Sequence, residues 1–551
     1  MTTDNRTTLN ACDSNSGWGG DDGTPSSVTT AGLYYENGNS LSMQHTNADE
    51  HTYYTDGTGW DLSDATVFLI VKVNQQDSQA NGGMKYVLGD GTDRIGFEVG
   101  GSDNPGVALA NLFYGLSLDV TNRSAFTGHV FAGVLANLTV AAITQVGYGS
   151  NHLAKAQGAV DNIYLDRLSY IANDSPVLTI NGGTSGTPET WADVQGDDET
   201  NGWGVCGNPF ASQFQINCSF EVGVSTAATD SYFSMDGEQL YLFGQAYAAT
   251  HFFWSLLAST GTNSLTITNA QIISVAGLTG VACNLQWNNS SFNILQIENT
   301  LFVDCGTIDF PPQSASNRYV NGSTFSNCGQ INFNSIDAVG LTIIGSQDAN
   351  GAVYWDESTV EENQDDLTFV SDGTGHAIEI NPTGAGPFVY NIDGYVFDGF
   401  AGQSGTDTNR VFFINPVTTS ADVTINLTGS TALNVQGGGA GFSYRTVGGY
   451  TGTVTINSTV SITVTVVDSD NNPIEGARVR VELTSGGTLV ANGSTNASGV
   501  FSASYNFGGN VGVTTKVRLK GYKFFRTAGT ITSAGLDVGA TLQDDVIVDL
   551  P

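Results

Sequence analysis

The sequence predicts an almost entirely β protein built around a stacked coil, a right-handed parallel β-helix, and three observations carry that expectation. Cys305-Gly306-Thr307-Ile308-Asp309-Phe310 returns 23 residues later as Cys328-Gly329-Gln330-Ile331-Asn332-Phe333, with Phe302 and Phe325 each three residues ahead of its copy. Cys283 lies 22 residues before Cys305. A period near 23 suits one turn of three short strands, each rung burying its apolar side chains on the next. Asn269, Asn299 and Asn391 are read as one matching rung position. The second observation is composition: runs of Val, Ile, Thr and aromatics are broken by Gly, Asn, Asp and Ser, with 69 Gly against 12 Pro. The third is negative, since no stretch sustains an i, i+3, i+4, i+7 apolar pattern for a dozen residues. At 551 residues the chain exceeds a single core.

Three segments follow, 1–173, 174–450 and 451–551. In the first, Thr66 to Val73 alternates with Val67, Leu69, Val71 and Val73 on one face. Early in it stands Asn37-Gly38-Asn39-Ser40-Leu41, and near its end Val160-Asp161-Asn162-Ile163-Tyr164-Leu165-Asp166 reads as a closing strand. This order resembles the concanavalin- and laminin-G-like jelly rolls and carbohydrate-binding modules of similar shape. The resemblance implies a sandwich over about 165 residues, and a structural Ca²⁺ for which Asp21, Asp22 and Asp161 are the oxygen donors.

The second segment carries the rungs, with short strands such as Leu265-Thr266-Ile267-Thr268 and Val423-Thr424-Ile425-Asn426-Leu427. Terminal repeats of an array must cap it, and the irregular stretch from Thr187 to Phe253 is the expected cap. Asp304 and Asp309 are the candidate catalytic carboxylates. Their equivalents one rung on are Asn327 and Asn332, so the ladder offers no second acid, and solvated corner residues are the bland reading. Trp355 beside Asp356 is a candidate sugar-stacking ring. The acidic groups Asp197-Asp198-Glu199 and Asp365-Asp366 read as loops.

In the third segment, Pro473-Ile474-Glu475-Gly476-Ala477-Arg478-Val479-Arg480-Val481 reads as turn and half-buried strand. It resembles the transthyretin- or carboxypeptidase-regulatory-type Ig-like module, which implies a second, C-terminal sandwich. Seven of the 17 basic residues fall here against eight acids, leaving about −35 on the remainder. Lys516, Arg518 and Lys520 are expected to line one exposed side as a docking surface, ordinary solvated strand faces being the alternative.

The net charge of −36 comes from scarce Lys and Arg, 17 against 53 Asp and Glu, and argues against nucleic acid and anionic membranes. No run of 18 apolar residues exists, and the first residues show no secretory signal. Six cysteines are too sparse for a disulfide framework. His45 and His51, flanking Asp49 and Glu50, form a candidate metal loop, a solvated loop being the alternative. No cofactor motif appears.

Jelly roll, β-helix and Ig-like module on one chain resemble tailed-bacteriophage virion appendages: fibres, spikes and capsid-decorating proteins. The resemblance implies a structural virion protein, made in the host cytoplasm, that docks on other virion proteins and attaches to host glycan. It also implies a homo-oligomer, a trimer, with the aromatic stretches Tyr53-Tyr54 and His251-Phe252-Phe253-Trp254 as candidate contacts. The alternatives are a glycan-degrading tailspike enzyme and a bacterial adhesin.

Overall fold

The computed structural model describes residues 2–21, 23–28, 40–45, 50–73, 84–100, 113–150, 161–172, 175, 177–201, 203, 205–216, 218–222, 230–243, 251–253, 263–275, 283–286, 294–310, 318–334, 336–356, 364–406, 409–437, 441–507, 510–532 and 535–544. The chain divides into two compact units, Met1–Pro312 and Gln313–Pro551. Nearly every described element is a strand. Among the described residues no helix is long and apolar enough to cross a membrane.

The first unit opens with two six-stranded antiparallel sheets. One runs Phe113–Asp119, Ala65–Val73, Asp161–Ala172, Ser40–His45 and Ser26–Val28, with Thr7–Asn10 added to Asp161–Ala172. The early Ser40–His45 strand and the closing strand are therefore direct neighbours, Leu41 facing Leu165. The other sheet runs Gly128–Ala132, Arg94–Gly100, Met84–Gly89, Ile143–Ser150, Glu50–Trp60 and Trp18–Gly20. Leu41, Val67, Leu69, Val71, Tyr86, Phe97, Val146 and Leu165 fill the space between them. Val67, Leu69 and Val71 share the expected inner face, but Phe68 and Ile70 on the opposite face are buried too. Arg6 explains part of that cover, its guanidinium lying 5.3 Å from the Phe68 ring centre.

A parallel stack follows in the same unit. Gln213–Ile216, Gln239–Phe243, Gln271–Val275 and Leu301–Val303 form one sheet. Ser231–Asp236, Asn263–Thr268 and Ile294–Glu298 form a second, and His251–Phe253, Asn284–Gln286 and Ile308–Asp309 a third. In-register pairs such as Leu265 with Leu295, Ile272 with Phe302 and Leu285 with Ile308 bury like on like. The cap contains an 11-residue helix, Trp191–Asn201. Thr190 and Asp193 cap its start, and Trp191 packs edge-on against Phe220 and Phe233. Asp198, expected in a loop, is instead buried in this helix and accepts the Val205 and Cys206 amides.

In the second unit Phe325 faces Ile343 and Ile331 faces Val353. Each copy of the repeat thus plays the same inward role among its own neighbours. Corner residues explain the Asn and Asp positions. Asn269, Asn299, Asp304 and Asn327 all have φ near +50°, a conformation that Asn and Asp tolerate better than most residues. Asn391 does not belong to that set: it sits inside Phe388–Asp393, where Asn391, Asn426 and Asn457 hydrogen-bond in a ladder. Trp355 is fully buried, donates to Gln364 and stacks on Tyr390, so it is core and presents no face to a sugar.

No linker follows residue 450. The 14-residue strand Val454–Val467 pairs in parallel with Val423–Thr428, then antiparallel with Val500–Phe507 and in parallel with Leu536–Thr541. The coil therefore passes into the last sandwich along one strand. That sandwich's other sheet runs Leu489–Ser494, Arg478–Leu483, Val511–Arg518 and Phe525–Ile531. Gly476 (φ +77°) makes the predicted turn, and the Thr495 hydroxyl ties Ala477 to Ile474. All six cysteines are buried thiols, and burial pushes Cys283 up to about 12.

Candidate functional site

In the strand Glu50–Trp60, Tyr54 turns inward onto Trp18 and Trp60, while His51 and Tyr53 point outward. Alternation places Arg94 and Gly96, Gln145 and Gly149 on that same outer face, opposite core residues Ile95, Phe97, Val146 and Tyr148. The two glycines make room for a ring. A Cβ at Gly96 would stand 2.6 Å from Phe131, and one at Gly149 2.9 Å from it. Phe131 therefore lies over the sheet itself, its ring stacked 4.1 Å from His51. Tyr53 stacks on His51 at 5.4 Å.

A line of hydrogen bonds crosses this aromatic group. Asp21 lies 2.5 Å from His51 Nδ1 and also accepts the His51 amide at 3.0 Å. Arg94 reaches His51 Nε2 at 2.9 Å and donates to Gln145 at 3.0 Å, its guanidinium 3.6 Å from the Tyr53 ring centre. With Arg94 donating, His51 Nε2 accepts and Nδ1 carries the proton toward Asp21. Burial holds His51 below its usual 6.5, against the raising effect of Asp21. His51 and Gln145 are buried, while Tyr53, Arg94 and Phe131 are half-buried and the Asp21 carboxylate is 45% exposed. Planar polar groups locked in place beside half-buried aromatic rings suit a ligand with hydroxyls and apolar ring faces.

Sequence reasoning singles out Asp21, His51 and Tyr53, in other roles. Asp21 is bonded to His51, Asp22 lies outside the described residues, and so does the Asp161 side chain. Among the described residues no three His, Cys, Asp or Glu side chains converge on a metal-sized site. His51 and Glu50 belong to a strand and are buried, not part of an acidic loop; Asp49 and the His45 side chain lie outside the described residues. Asp304 occupies a left-handed corner, and Asp309 is half-buried between inward Ile308 and Phe310. Of the aromatic stretches, Tyr54 is core, and Trp254 and the side chains of His251 to Phe253 lie outside the description.

The C-terminal sandwich presents a different face. Val479, Val481, Val513, Thr515 and Val517 point inward, so Arg478, Arg480, Lys516 and Arg518 point outward. Arg478 pairs directly with Arg518, and Arg480 with Lys516, which in turn pairs with Arg526. Glu482 accepts from both Arg480 and Lys516. Arg518 lies 5.0 Å from the ring centre of Phe524, itself 49% exposed. Lys520 is exposed beyond the strand's end and is not in this array.

No family model matches the chain, and no curated protein matches it. Solved structures do. One is the family 11 carbohydrate-binding module of the cellulosomal cellulase Lic26A-Cel5E of Clostridium thermocellum, at 12% identity over 31% of this chain and 96% of that one, with a TM-score of 0.22. A family 11 module from Clostridium thermocellum in complex with a β-1,3-1,4-mixed-linked tetrasaccharide matches at 11% identity over 30% and 95%, TM-score 0.22. An exo-β-agarase matches at 11% identity over 31% of this chain and 25% of that one, TM-score 0.21.

Proposed function

We propose that this chain is a glycan-binding structural protein of a tailed-phage virion, attaching to neutral polysaccharide through the outer face of its N-terminal sandwich. The observation that carries the reading is the Asp21–His51–Arg94–Gln145 hydrogen-bond line beside Tyr53 and Phe131 on a glycine floor. Sugar rings offer hydroxyls to such fixed groups and C–H faces to the aromatics. A neutral ligand fits because a chain of net charge −36 repels polyanions. The parallel stacks supply a stiff body, as a virion appendage requires.

Affinity electrophoresis against soluble neutral polysaccharides tests the site. Retardation of the wild-type chain, weakened roughly tenfold or more by Tyr53→Ala and by Arg94→Ala, is the expected result. Binding unchanged in both variants, or no retardation by any polysaccharide, removes the reading. Detection of the chain in purified particles tests the virion role separately.

A further inference from the structure

The basic face of the C-terminal sandwich holds five of the chain's 17 Lys and Arg, and they stand in rows. Like charges directly opposite one another on a sheet are destabilising, so this arrangement opposes folding. Glu482 is the sole carboxylate paired to it among the described residues; Arg478, Arg518 and Arg526 form no ion pair there.

An opposite array occupies the same unit. Asp337 opens the strand Asp337–Val339, Val339 pairs with Asp365, and Asp366 follows in a left-handed corner. Asp393 ends Phe388–Asp393, and the adjoining Gly394 approaches Asp366 so closely that a Cβ would sit 2.3 Å from its carboxylate. Asp365, Asp366 and Asp393 are exposed, and no described residue bonds to their side chains. These acids feel one another: burial and then the charges of Asp366, Asp393 and Asp337 raise the Asp365 carboxyl.

The cations repeat across antiparallel strands at about 4.7–4.9 Å per strand, and the acids crowd together where Gly394 meets Asp366, so each surface presents closely spaced charges of one sign. We propose that the Arg480–Lys516–Arg526 face of one copy docks on the Asp365–Asp366–Asp393 column of a second copy of this chain, head to tail. Such a contact uses two different surfaces and propagates from copy to copy. At physiological salt the Debye length of about 8 Å screens the mutual repulsion of the acidic bodies while leaving contacting pairs in force.

Sedimentation velocity on the purified full chain, across a micromolar concentration series, tests this. The wild type should form assemblies that grow with concentration at ~0.15 M salt and dissociate at ~1 M. R480E/K516E/R526E and, separately, D365K/D393K should each sediment as monomers with unchanged circular dichroism. Mixed in equal amounts they should assemble again, because the intact basic face of one meets the intact acidic column of the other and the two reversed surfaces are complementary as well. R480Q/K516Q/R526Q, which adds no repulsion, should also be monomeric and serves if a reversal variant misfolds. A wild type monomeric throughout, assembly retained in any of these variants, or a monomeric mixture overturns the proposal. So does a monomeric wild type that retains a sulfated polysaccharide through the same three cations, since the partner is then a polyanion.

Discussion

The two sandwiches use their arginines in opposite ways. In the N-terminal one, Arg6 and Arg167 are buried on a single carboxylate, Asp4, at 2.9 and 3.0 Å. Arg94 there is committed to His51, Gln145 and Tyr53. In the C-terminal one, Arg478, Arg518 and Arg526 stand outward in cross-strand register with other cations. Both sandwiches turn alternate strand residues inward, so the fold does not dictate this difference. The outward residues do. In the first sandwich charge is used inside the protomer, holding chain segments together and fixing His51, Gln145 and Tyr53 on the outer face. In the second, Arg478, Arg518 and Arg526 form no ion pair among the described residues, as the proposed contact with a second copy requires.

The largest test of this contrast removes Asp4. Burial raises its carboxyl, but Arg6 and Arg167 outweigh that and hold it below 3.8. Arg6 also donates to the Trp203 carbonyl at 2.6 Å, and the neighbouring strand Thr2–Asp4 pairs with Leu178–Ile180, so Asp4 ties the first residues to the sandwich and to the start of the coil. Asp4→Ala removes the carboxylate that both buried guanidiniums share, which should destabilise by about 3–5 kcal/mol in chemical denaturation. A loss below ~1 kcal/mol would mean that the clasp is no different from the exposed cations of the other sandwich.

Acid should separate the two faces next. His51 is held below 6.5, so it is neutral at pH 7. Between 6.5 and its lowered folded value the unfolded chain binds the extra proton, so its contribution to stability is full above 6.5 and lost as pH falls through the folded value. Protonated Nε2 can no longer accept from Arg94, a hydrogen bond worth about 0.5–1.5 kcal/mol. The glycan affinity proposed for the N-terminal face should therefore fall by up to roughly tenfold on acidification, and His51→Gln should flatten that profile. Polysaccharide retardation measured at stepped pH decides it: a flat wild-type profile removes His51 from the site.

How far the sequence foretold these features depends on whether their residues are local. The coil repeat was legible because each rung's inward Phe and Ile recur within one short period, and the Pro473-to-Val481 turn because all its parts are contiguous. The outward Arg478 and Arg480 were legible for the same reason, since alternation alone sorts them from Val479 and Val481, whereas Lys520, expected beside Lys516 and Arg518, lies beyond the strand's end. Asn391 misled because a strand ladder and a left-handed corner both favour Asn, and only register tells them apart. The cap helix carries few inward apolar residues, Trp191 and Val194, so it has no stripe to read; the signal was Thr190 with Asp193, a capping pair. The N-terminal site was hidden because residues 21, 51, 53, 94, 131 and 145 meet only through sheet pairing. Gly96 and Gly149 inside strands were the available hint, since a strand glycine often marks a close approach.

The smallest effect is the most discriminating, because its sign is opposite to that of the Asp4 change. Arg478 is exposed, faces Arg518 on one side and Ser494 on the other, and among the described residues forms no ion pair. Replacing it by Thr removes a directly opposed like charge and introduces a residue that favours strands. Arg478→Thr should therefore raise the stability of the isolated chain, by about 0.2–1 kcal/mol in urea denaturation, with an unchanged denaturant slope. Arg518 is the poorer choice for this test, since its stacking on Phe524 would be lost along with the repulsion. The gain should shrink as salt is added, because only a screened charge–charge term is being removed. A stability loss above ~1 kcal/mol would show that Arg478 already has a structural role within the protomer. The cation rows would then resemble the arginines of the first sandwich, and the contrast between the two would fail.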